Sequence, residues 1–385
     1  MRPRCLPLLF LLALPLAAPA SPEAGRAAYA AGNYALARQE WLPRAEAGDP
    51  DAQLWLGRLH ARGQGVAQDY RLAAHWFYRA AQQGNAQAQL ELGILNAEGL
   101  GLTRSMSEAA TWWRRAAEQG TAAAQFRLGQ LHANGDAMPQ DFGAALHWFR
   151  AAAEQGLAEA QLSLGNLYAT GLGVAQDNAA AAAWYTKAAE QGNAGAQERL
   201  AYLYERGYGF RQSFALAAQW YGQAAEQGNS TAQLRLGQLY EQGNGVPRDH
   251  AQAAIWYRRA AEQGTSTAQG ALARLYEEGL GVAQDFAAAA AWYREQASGG
   301  HAPALLRLGL LYRDGRGLPA DPVIAQMCLL LAVGLGESDA FAPSRQLAKQ
   351  LTPRQLQEAR DLVATWLPGQ PLPAASRTGR RRGLW

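Results

Sequence analysis

Cysteine is nearly absent from this chain of 385 residues, since it occurs only at Cys5 and Cys328. Cys5 falls within an N-terminal stretch that has the pattern of a removable leader, so the rest of the chain has one cysteine and no internal disulfide. Lysine is as scarce, with Lys187 and Lys349 alone, and no glycine is followed by lysine. A Walker-type phosphate loop needs that pair. The two absences exclude a disulfide-stapled fold and a P-loop nucleotide site.

The composition favours helices over strands. Ala and Leu dominate the 49% of residues that are apolar, while Val, Ile and Thr are few. The formal net charge of +3 overstates the basic character, because Arg2 and Arg4 lie in the leader and four arginines lie in the last nine residues. The body between them is slightly acidic, so we expect no general binding of nucleic acid.

Residues 1–20 have the pattern of a secretory signal peptide. Two arginines precede an apolar core from Leu6 to Leu16, and Ala18-Pro19-Ala20 is an A-x-A cleavage site. The core is too short for a good transmembrane helix, and no second hydrophobic segment follows. We therefore expect cleavage after Ala20, export to the periplasm or beyond, and no transmembrane segment in the mature chain.

Three residue types recur at intervals of 36 residues. Glycine keeps this interval from Gly48 to Gly300, and leucine keeps it from Leu56 to Leu308. Chance does not hold several residue types in phase over so many copies, so residues 49–336 are eight repeats. Tryptophan keeps the same interval, and we assign these rings to the structural core between adjacent helices: Trp76, Trp112, Trp148, Trp184, Trp220, Trp256 and Trp292.

Each repeat predicts two helices. The first follows the recurrent glycine, and its apolar residues are spaced four and three apart, as in Ala52, Leu56 and Leu59. The second begins at Asp or Ser in all eight repeats, and both are favoured N-cap residues. Helix, loop and helix without a strand pattern predict an all-α fold, a right-handed α/α superhelical solenoid of helix-turn-helix repeats.

The ends of the repeat array depart from its pattern, as expected where one face lacks a neighbour. We predict N-terminal capping helices at 21–48 and C-terminal capping helices at 337–367. The last of these lies within 351–367, with Thr352 as N-cap and Pro353 in the first turn. Residues 368–385 are expected to be a disordered basic tail. Its arginines and final tryptophan leave open an acidic partner or anionic lipid.

The loop GLGVAQD occurs at 171–177 and again at 279–285. Two glycines before a helix raise the question of a phosphate site. The third glycine of a dinucleotide fingerprint is replaced by Gln176 or Gln284, and a helix precedes the loop where a strand is needed. We interpret the first glycine as a helix C-cap and the final Asp as the next N-cap. No cofactor is predicted.

Taken together, these positions resemble the Sel-like repeat, a branch of the tetratricopeptide superfamily. The unit AQLRLGQLYEQGNGVPRDHAQAAIWYRRAAEQG at 232–264 carries the pattern most fully. The resemblance covers about three quarters of the chain. It implies an adaptor that holds other proteins or polymers, and many bacterial members are exported. Some cysteine-rich members are linked to β-lactam binding, but their paired cysteines are absent here.

The chemistry of a catalytic or metal site is not recognisable. The six histidines form no H-E-x-x-H motif and no Cys/His cluster, so no metal is predicted. Cys328 stands in the tryptophan position of the last repeat, where a buried thiol is inert. We therefore predict that the protein is not an enzyme.

Function in a repeat array is expected where the copies differ. The first helix varies at four positions separated by four, three and four residues, which share one face. In tetratricopeptide-like stacks the first helices line the concave side, so we expect a groove. Arg and aromatic residues are typical of binding hot spots, although a solvated face also carries them. The predicted partner-binding residues are Trp55, Arg58, Arg62, Arg127, Arg199, Tyr202, Arg206, Tyr208, Arg235, Arg274 and Arg307.

We predict a non-catalytic adaptor or scaffold of the bacterial cell envelope that binds protein partners along this groove. The alternative is binding of an anionic polysaccharide or cell-wall polymer by the spaced arginines. A cell-wall or β-lactam hydrolase has the least support.

Overall fold

The computed structural model describes residues 22–373 and 375–376. This part of the chain folds into helices without a strand, apart from a short 3-10 turn at Ser338–Ala340. Contacts divide it into two compact units, one ending at Gln176 and the other beginning at Asp177. The signal peptide predicted at 1–20 lies outside the described residues.

In its described part, the first unit contains the helices α1 (Pro22–Ala30), α2 (Tyr34–Glu46), α3 (Pro50–Arg62), α4 (Tyr70–Gln82), α5 (Ala86–Glu98), α6 (Met106–Glu118), α7 (Ala122–Asn134), α8 (Phe142–Glu154) and α9 (Ala158–Thr170). The helices α1 and α2 cap the N-terminal end of this unit. From α3 onwards, odd-numbered helices are the first helix of a repeat and even-numbered helices are the second.

The described part of the second unit contains α10 (Asn178–Glu190), α11 (Ala194–Arg206), α12 (Phe214–Glu226), α13 (Ser230–Gln242), α14 (His250–Glu262), α15 (Ser266–Glu278), α16 (Phe286–Ser298), α17 (Ala302–Asp314), α18 (Pro322–Gly334), α19 (Phe341–Ala348) and α20 (Pro353–Thr365). The helix pairs recur at 36 residues, which confirms the predicted all-α, solenoid-type fold.

The loop GLGVAQD at 279–285 is a structural joint, as its sequence indicates. Gly279 has a φ of 70° and ends α15 in the left-handed conformation. At Gly281, with a φ of 68°, an added Cβ would lie 2.2 Å from the carbonyl carbon of His250, the first residue of α14. The Gln284 amide donates to a carbonyl in the last turn of α15, and Asp285 caps the first amides of α16. The second glycine thus lets this joint pack against the preceding second helix.

In the seven repeats that carry the tryptophan, the deepest aromatic ring is the residue after it. Phe77 and Tyr257, for example, are buried against a glycine of the first helix. At Gly57 or Gly237, an added Cβ would lie 2.4 or 2.6 Å from the neighbouring ring. The tryptophans themselves differ in burial. Trp76, Trp112 and Trp256 are buried, whereas Trp148, Trp184, Trp220 and Trp292 keep a partly exposed edge.

Buried glutamines link the helix pairs in a way that the apolar pattern does not reveal. The Gln125 amide of α7 donates to the Ala117 carbonyl at the end of α6, at 3.2 Å. Its oxygen accepts from Gln155, which follows α8, at 2.8 Å. Gln233 and Gln263 make the same contact in the second unit. These bonds satisfy the amides and a helix-end carbonyl that would otherwise be buried without a partner.

The C-terminal cap is longer than the sequence indicates. Thr352 forms a capping box at the start of α20, as its position predicts. The chain then packs back on the last repeat, where Leu372 is buried and the Ser376 amide donates to Asp321 Oδ2 at 2.7 Å. Disorder from residue 368 is therefore wrong for 368–373 and 375–376, because these residues cover the apolar surface around α18. The rest of the predicted tail lies outside the described residues.

Candidate partner-binding surface

The variable residues of the first helices lie where the core leaves the helix uncovered. In α3, Ala52 and Leu56 are buried, whereas Trp55 and Arg58 are half-buried and Arg62 is exposed. We call this side of α3, α5 and α7, and the corresponding side of α11, α13, α15 and α17, the first-helix face of each unit.

At the N-terminal end of the first unit, Trp55 belongs to an aromatic cluster. Its ring stacks on Trp41 at 5.2 Å between centroids and contacts Tyr29 at 4.9 Å. The Arg58 guanidinium lies 5.1 Å from the centre of the same ring. Trp55 therefore packs the cap helices onto the first repeat and presents only part of its ring to solvent.

The arginines of the first-unit face differ in their partners. Arg58 forms an ion pair with Glu91 at 3.0 Å, and Arg62 donates to the Tyr29 hydroxyl at 3.1 Å. Arg127 is exposed and donates only weakly to Gln130, at 3.5 Å. The structure thus brings Trp55, Arg58 and Arg62 together and places Arg127 apart from them.

An exposed aromatic cluster lies at the end of α11 in the second unit. The rings of Tyr202 and Tyr208 meet edge to face at 6.2 Å, and the Arg206 guanidinium lies 5.6 Å from the Tyr202 ring centre. Tyr208 is 46% exposed. Phe210 in the same loop instead stacks on Tyr204 at 4.4 Å, so the loop GYGFRQSF at 207–214 holds one ring inward and one outward.

A glutamate recurs every 36 residues near this face in three repeats of the second unit. Each carboxylate accepts a hydrogen bond from a tyrosine hydroxyl of the second helix, and burial together with that carboxylate raises the pKa of the tyrosine. The hydroxyl therefore stays a donor at neutral pH. The pairs are Glu205 with Tyr221 at 2.6 Å, Glu241 with Tyr257 at 2.6 Å and Glu277 with Tyr293 at 2.8 Å.

Two of these glutamates, Glu241 and Glu277, also pair with arginines of the predicted set. Arg274 contacts Glu241 of the preceding repeat and Glu278 of its own helix. Arg307 lies 3.9 Å from Glu277. The second-unit face is thus an alternation of positive and negative side chains held by contacts between repeats.

The remaining predicted arginines of the second unit lie near Glu198. Arg199 is exposed and lies 3.4 Å from the Glu198 carboxylate, while Arg235 donates to Gln238 at 3.3 Å. Glu198 is only 8% exposed, and burial raises its pKa despite the opposing charges of these arginines. Leu234 occupies the same position in the next repeat, so Glu198 is a carboxylate in an apolar position.

Sequence reasoning missed the glutamates that organise this face. A signal was present, since Glu205, Glu241 and Glu277 are spaced by 36 residues. The arginines were identified from the sequence because they vary between repeats. Their glutamate partners could be identified only from the distances between helices. Binding by the predicted residues stays a prediction.

Three further features of the described chain concern its cysteine, its metal-binding residue types and the length of its helices. Cys328 is fully buried, and burial raises the pKa of its thiol to about 12. No group of three or more His, Cys, Asp or Glu side chains is placed to hold a metal among the residues described. Within the same residues, no helix is both long and apolar enough to span a membrane.

The Sel1 repeat family model matches the chain eight times in succession. The matched segments are 50–85, 86–121, 122–157, 158–193, 194–229, 230–265, 266–301 and 302–337. They coincide with the predicted repeats to within one residue. A search of curated proteins found no significant match.

Two solved structures are similar to the chain along most of its length. One is a protective antigen present in uropathogenic Escherichia coli strains and displaying an SLR fold. It is 30% identical with a TM-score of 0.62, and the match covers 94% of each chain. The other is a Sel1 repeat protein from Oxalobacter formigenes, 37% identical with a TM-score of 0.60. That match covers 82% of this chain and 90% of the other.

The eight family matches span about three quarters of the residues, and both structures share the repeat. Members of this family are generally non-catalytic and mediate protein interactions. On these grounds the chain belongs to the Sel1 repeat family.

Proposed function

We propose that this protein is a scaffold of the bacterial cell envelope that binds partner proteins along its first-helix faces. The observation that carries the proposal is the alternation of Arg and Glu on the second-unit face, together with the exposed Tyr208 at the end of α11 in the same unit. Arg and Tyr are enriched in protein-binding hot spots.

The side chains of this face are held before any partner arrives. Arg274 has two carboxylate partners, and Tyr202 is held by Arg206 and Tyr208. Immobilising a long side chain on binding costs about 0.5–1.5 kcal/mol, so a face that is already ordered loses less. This order favours a partner with a defined surface over a flexible polymer.

The charge pattern supports a protein partner more than an anionic polysaccharide. A polyanion passing Arg274 and Arg307 would also meet Glu241 and Glu277, which lie against those arginines. Like charges brought together at an interface cost binding free energy, whereas a protein can offer both signs in register. The polysaccharide alternative would need a row of arginines free of carboxylates.

The envelope location rests on the secretory pattern of residues 1–20 and draws support from the similar protective antigen of uropathogenic Escherichia coli. Expression of the full chain with a C-terminal tag, followed by cell fractionation and N-terminal sequencing, tests it. We expect a periplasmic or secreted product that begins at Ser21. A cytoplasmic product that keeps residues 1–20 would contradict the location.

Affinity capture from envelope extract tests partner binding. The face variant combines Arg199→Glu, Arg206→Glu and Tyr208→Ser, which are all exposed. The control variant combines Gln219→Glu, Ile255→Ser and Glu262→Arg, on exposed positions of second helices of the same unit. We expect the face variant to lose a partner that the wild type and the control retain. Equal recovery by all three would reject the proposed face.

Salt separates the two kinds of partner. Raising the ionic strength to about 0.5 M shortens the screening length to roughly 4 Å and weakens binding that depends on exposed charge. A protein partner held by packed Tyr and Arg side chains should largely stay bound. Complete release, together with binding of a purified anionic polysaccharide, would favour the alternative.

A further inference from the structure

A cleft of about 410 Å³ opens between the second helices α4 and α6 of the first unit. It does not belong to the first-helix face. Tyr78 and Trp112 form its aromatic walls, Leu92 and Leu102 line it with apolar groups, and Asn96 also contributes to the lining. Clefts of this size and composition are typical of sites for small ligands or single side chains.

The cleft exists because of the residue at position 96. In the other seven repeats the corresponding position holds a larger side chain with a ring, which is histidine at His60 and His132 and tyrosine at Tyr168, Tyr204, Tyr240, Tyr276 and Tyr312. The Tyr276 ring packs into the core beside Trp292, and its hydroxyl accepts from Arg258. The asparagine side chain lacks the aromatic ring of tyrosine. It therefore leaves open the space that a tyrosine ring occupies in other repeats.

Asn96 presents an unmatched hydrogen-bond acceptor at this cleft. Its side-chain nitrogen donates to the Leu92 carbonyl at 3.0 Å. Because that carbonyl can only accept, the amide orientation is fixed and Oδ1 is the atom left over. The residue as a whole is 7% exposed, and its only side-chain hydrogen bond found within the described chain is the one donated by its nitrogen. A ligand that enters the cleft can therefore donate a hydrogen bond to this oxygen without displacing a bond within the protein.

The aromatic walls are ordered. Tyr78 and Trp112 meet edge to face, with ring centroids 6.0 Å apart, and Tyr78 is 48% exposed. The Arg115 guanidinium lies 4.7 Å from the Trp112 ring centre and holds that ring in place. Offset or edge-to-face contacts with these walls would favour an incoming aromatic ring.

We propose that this cleft binds a tyrosine side chain presented by a partner protein. The ring lies against Tyr78 and Trp112, and the hydroxyl donates to Asn96 Oδ1. Arg71 and Glu108, which also line the cleft, carry opposite charges, so the site does not select for an anion. The site is separate from the first-helix face, so an experiment that rejects one of these two binding sites does not reject the other.

The probe is N-acetyl-tyrosinamide, titrated into the full protein and followed by the indole N–H resonance of Trp112. A fragment of this size should bind with a dissociation constant on the order of 1 mM. N-acetyl-phenylalaninamide lacks the hydroxyl, and the loss of one hydrogen bond should weaken it about three- to tenfold. Equal affinity of the two probes, or no saturable shift, would overturn the proposal.

Two substitutions at position 96 separate the parts of the site. Asn96→Tyr fills the space with the ring used by other repeats and should abolish binding. Asn96→Leu removes the acceptor and should erase the preference for the tyrosine probe. Glu98→Tyr, at an exposed position of the same helix, is the matched control and should bind as the wild type does.

A last comparison distinguishes a side chain from a free small molecule. We expect 4-methylphenol to bind no more tightly than N-acetyl-tyrosinamide, because the cleft is open enough to admit a backbone. Binding of 4-methylphenol at least about tenfold tighter would make a free phenol the occupant. Retained probe binding in Asn96→Tyr would place the probe elsewhere and overturn the assignment.

Discussion

Ala137 is held at a φ of 62°, in the left-handed region that the other joints reserve for glycine. It stands where the second glycine of the joint occurs in the other repeats. Within the described chain it is the only residue besides glycine with a positive φ. An L-residue in this region is disfavoured by about 1–2 kcal/mol, so the third repeat carries local strain.

Ala137→Gly should therefore raise the free energy of unfolding. Relief of strain is partly offset by the greater freedom of glycine in the unfolded chain, which leaves a gain of about 0.5–1 kcal/mol. Urea denaturation of the full chain and amide exchange in α7 and α8 measure this gain. A variant less stable than the wild type would contradict it.

Gly101→Ala is the reciprocal control in the preceding repeat. Gly101 has a φ of 69°, and a Cβ there would lie 2.4 Å from the Tyr70 carbonyl carbon. The strained backbone and the collision of the new Cβ with Tyr70 both destabilise the fold. The free energy of unfolding of this variant should therefore fall by about 2 kcal/mol or more.

Glu198 makes the stability of the fold depend on pH, which a leucine at this position would not do. Burial raises the pKa of Glu198 in the folded protein above the ordinary glutamate value of 4.5, so the folded state binds this proton more tightly than the unfolded state does. The stabilisation that this group gives the folded state is fully present below pH 4.5. It is lost as the pH rises through the raised pKa.

Glu198→Leu should remove this loss and stabilise the protein by roughly 1 kcal/mol at pH 7. Denaturation midpoints measured from pH 4 to pH 7 should show the advantage of the variant growing as the pH rises. Glu262→Leu, at an exposed position, should change stability by less than about 0.5 kcal/mol. A Glu198→Leu advantage that is equal at both ends of the range would exclude the buried carboxylate as its cause.

At the scale of elements, the hydrogen-bonded glutamines determine how one helix pair meets the next. Through its two hydrogen bonds, Gln125 joins the end of α6 to the turn after α8. An apolar side chain of the same size cannot form these bonds. The recurrence of Gln at these positions therefore has a physical cause in the contacts between repeats.

Gln125→Leu should lower the stability of the first unit by about 2 kcal/mol, because it leaves the buried Ala117 carbonyl without this donor. Amide exchange should rise in α6, α7 and α8 before it rises elsewhere in that unit. Gln130→Leu, on the uncovered side of the same helix, is the matched control. Equal losses in both variants would mean that the contact between repeats is not the cause.

The helices were predictable because their signals are local. The N-cap at Asp285, the C-cap at Gly279 and the interval of 36 residues each act within a few residues of chain. The Glu–Tyr pairs and the cleft at Asn96 were not predictable, since they depend on how the side chains of different helices approach one another, which the pattern within each helix does not specify. The packing of Leu372 was missed for the same reason.

At the scale of the whole molecule, the residues that the repeats share serve to hold the fold together. Glycines form the joints, glutamines connect neighbouring pairs, and aromatic rings fill the space between helices. We propose that recognition uses the variable first-helix faces and the cleft of the first unit. Their mixed charge favours proteins as partners.

Site-specific photo-cross-linking tests this account most directly. Benzoylphenylalanine is placed at Tyr208 and Gln238 on the second-unit face, and at Gln219 and Ile255 on second helices of the same unit. Adducts are recovered from cells and identified by mass spectrometry. The account predicts that one protein partner is captured at Tyr208 and Gln238 and not at the other two positions. Equal capture at all four positions, or at Gln219 and Ile255 alone, would contradict it.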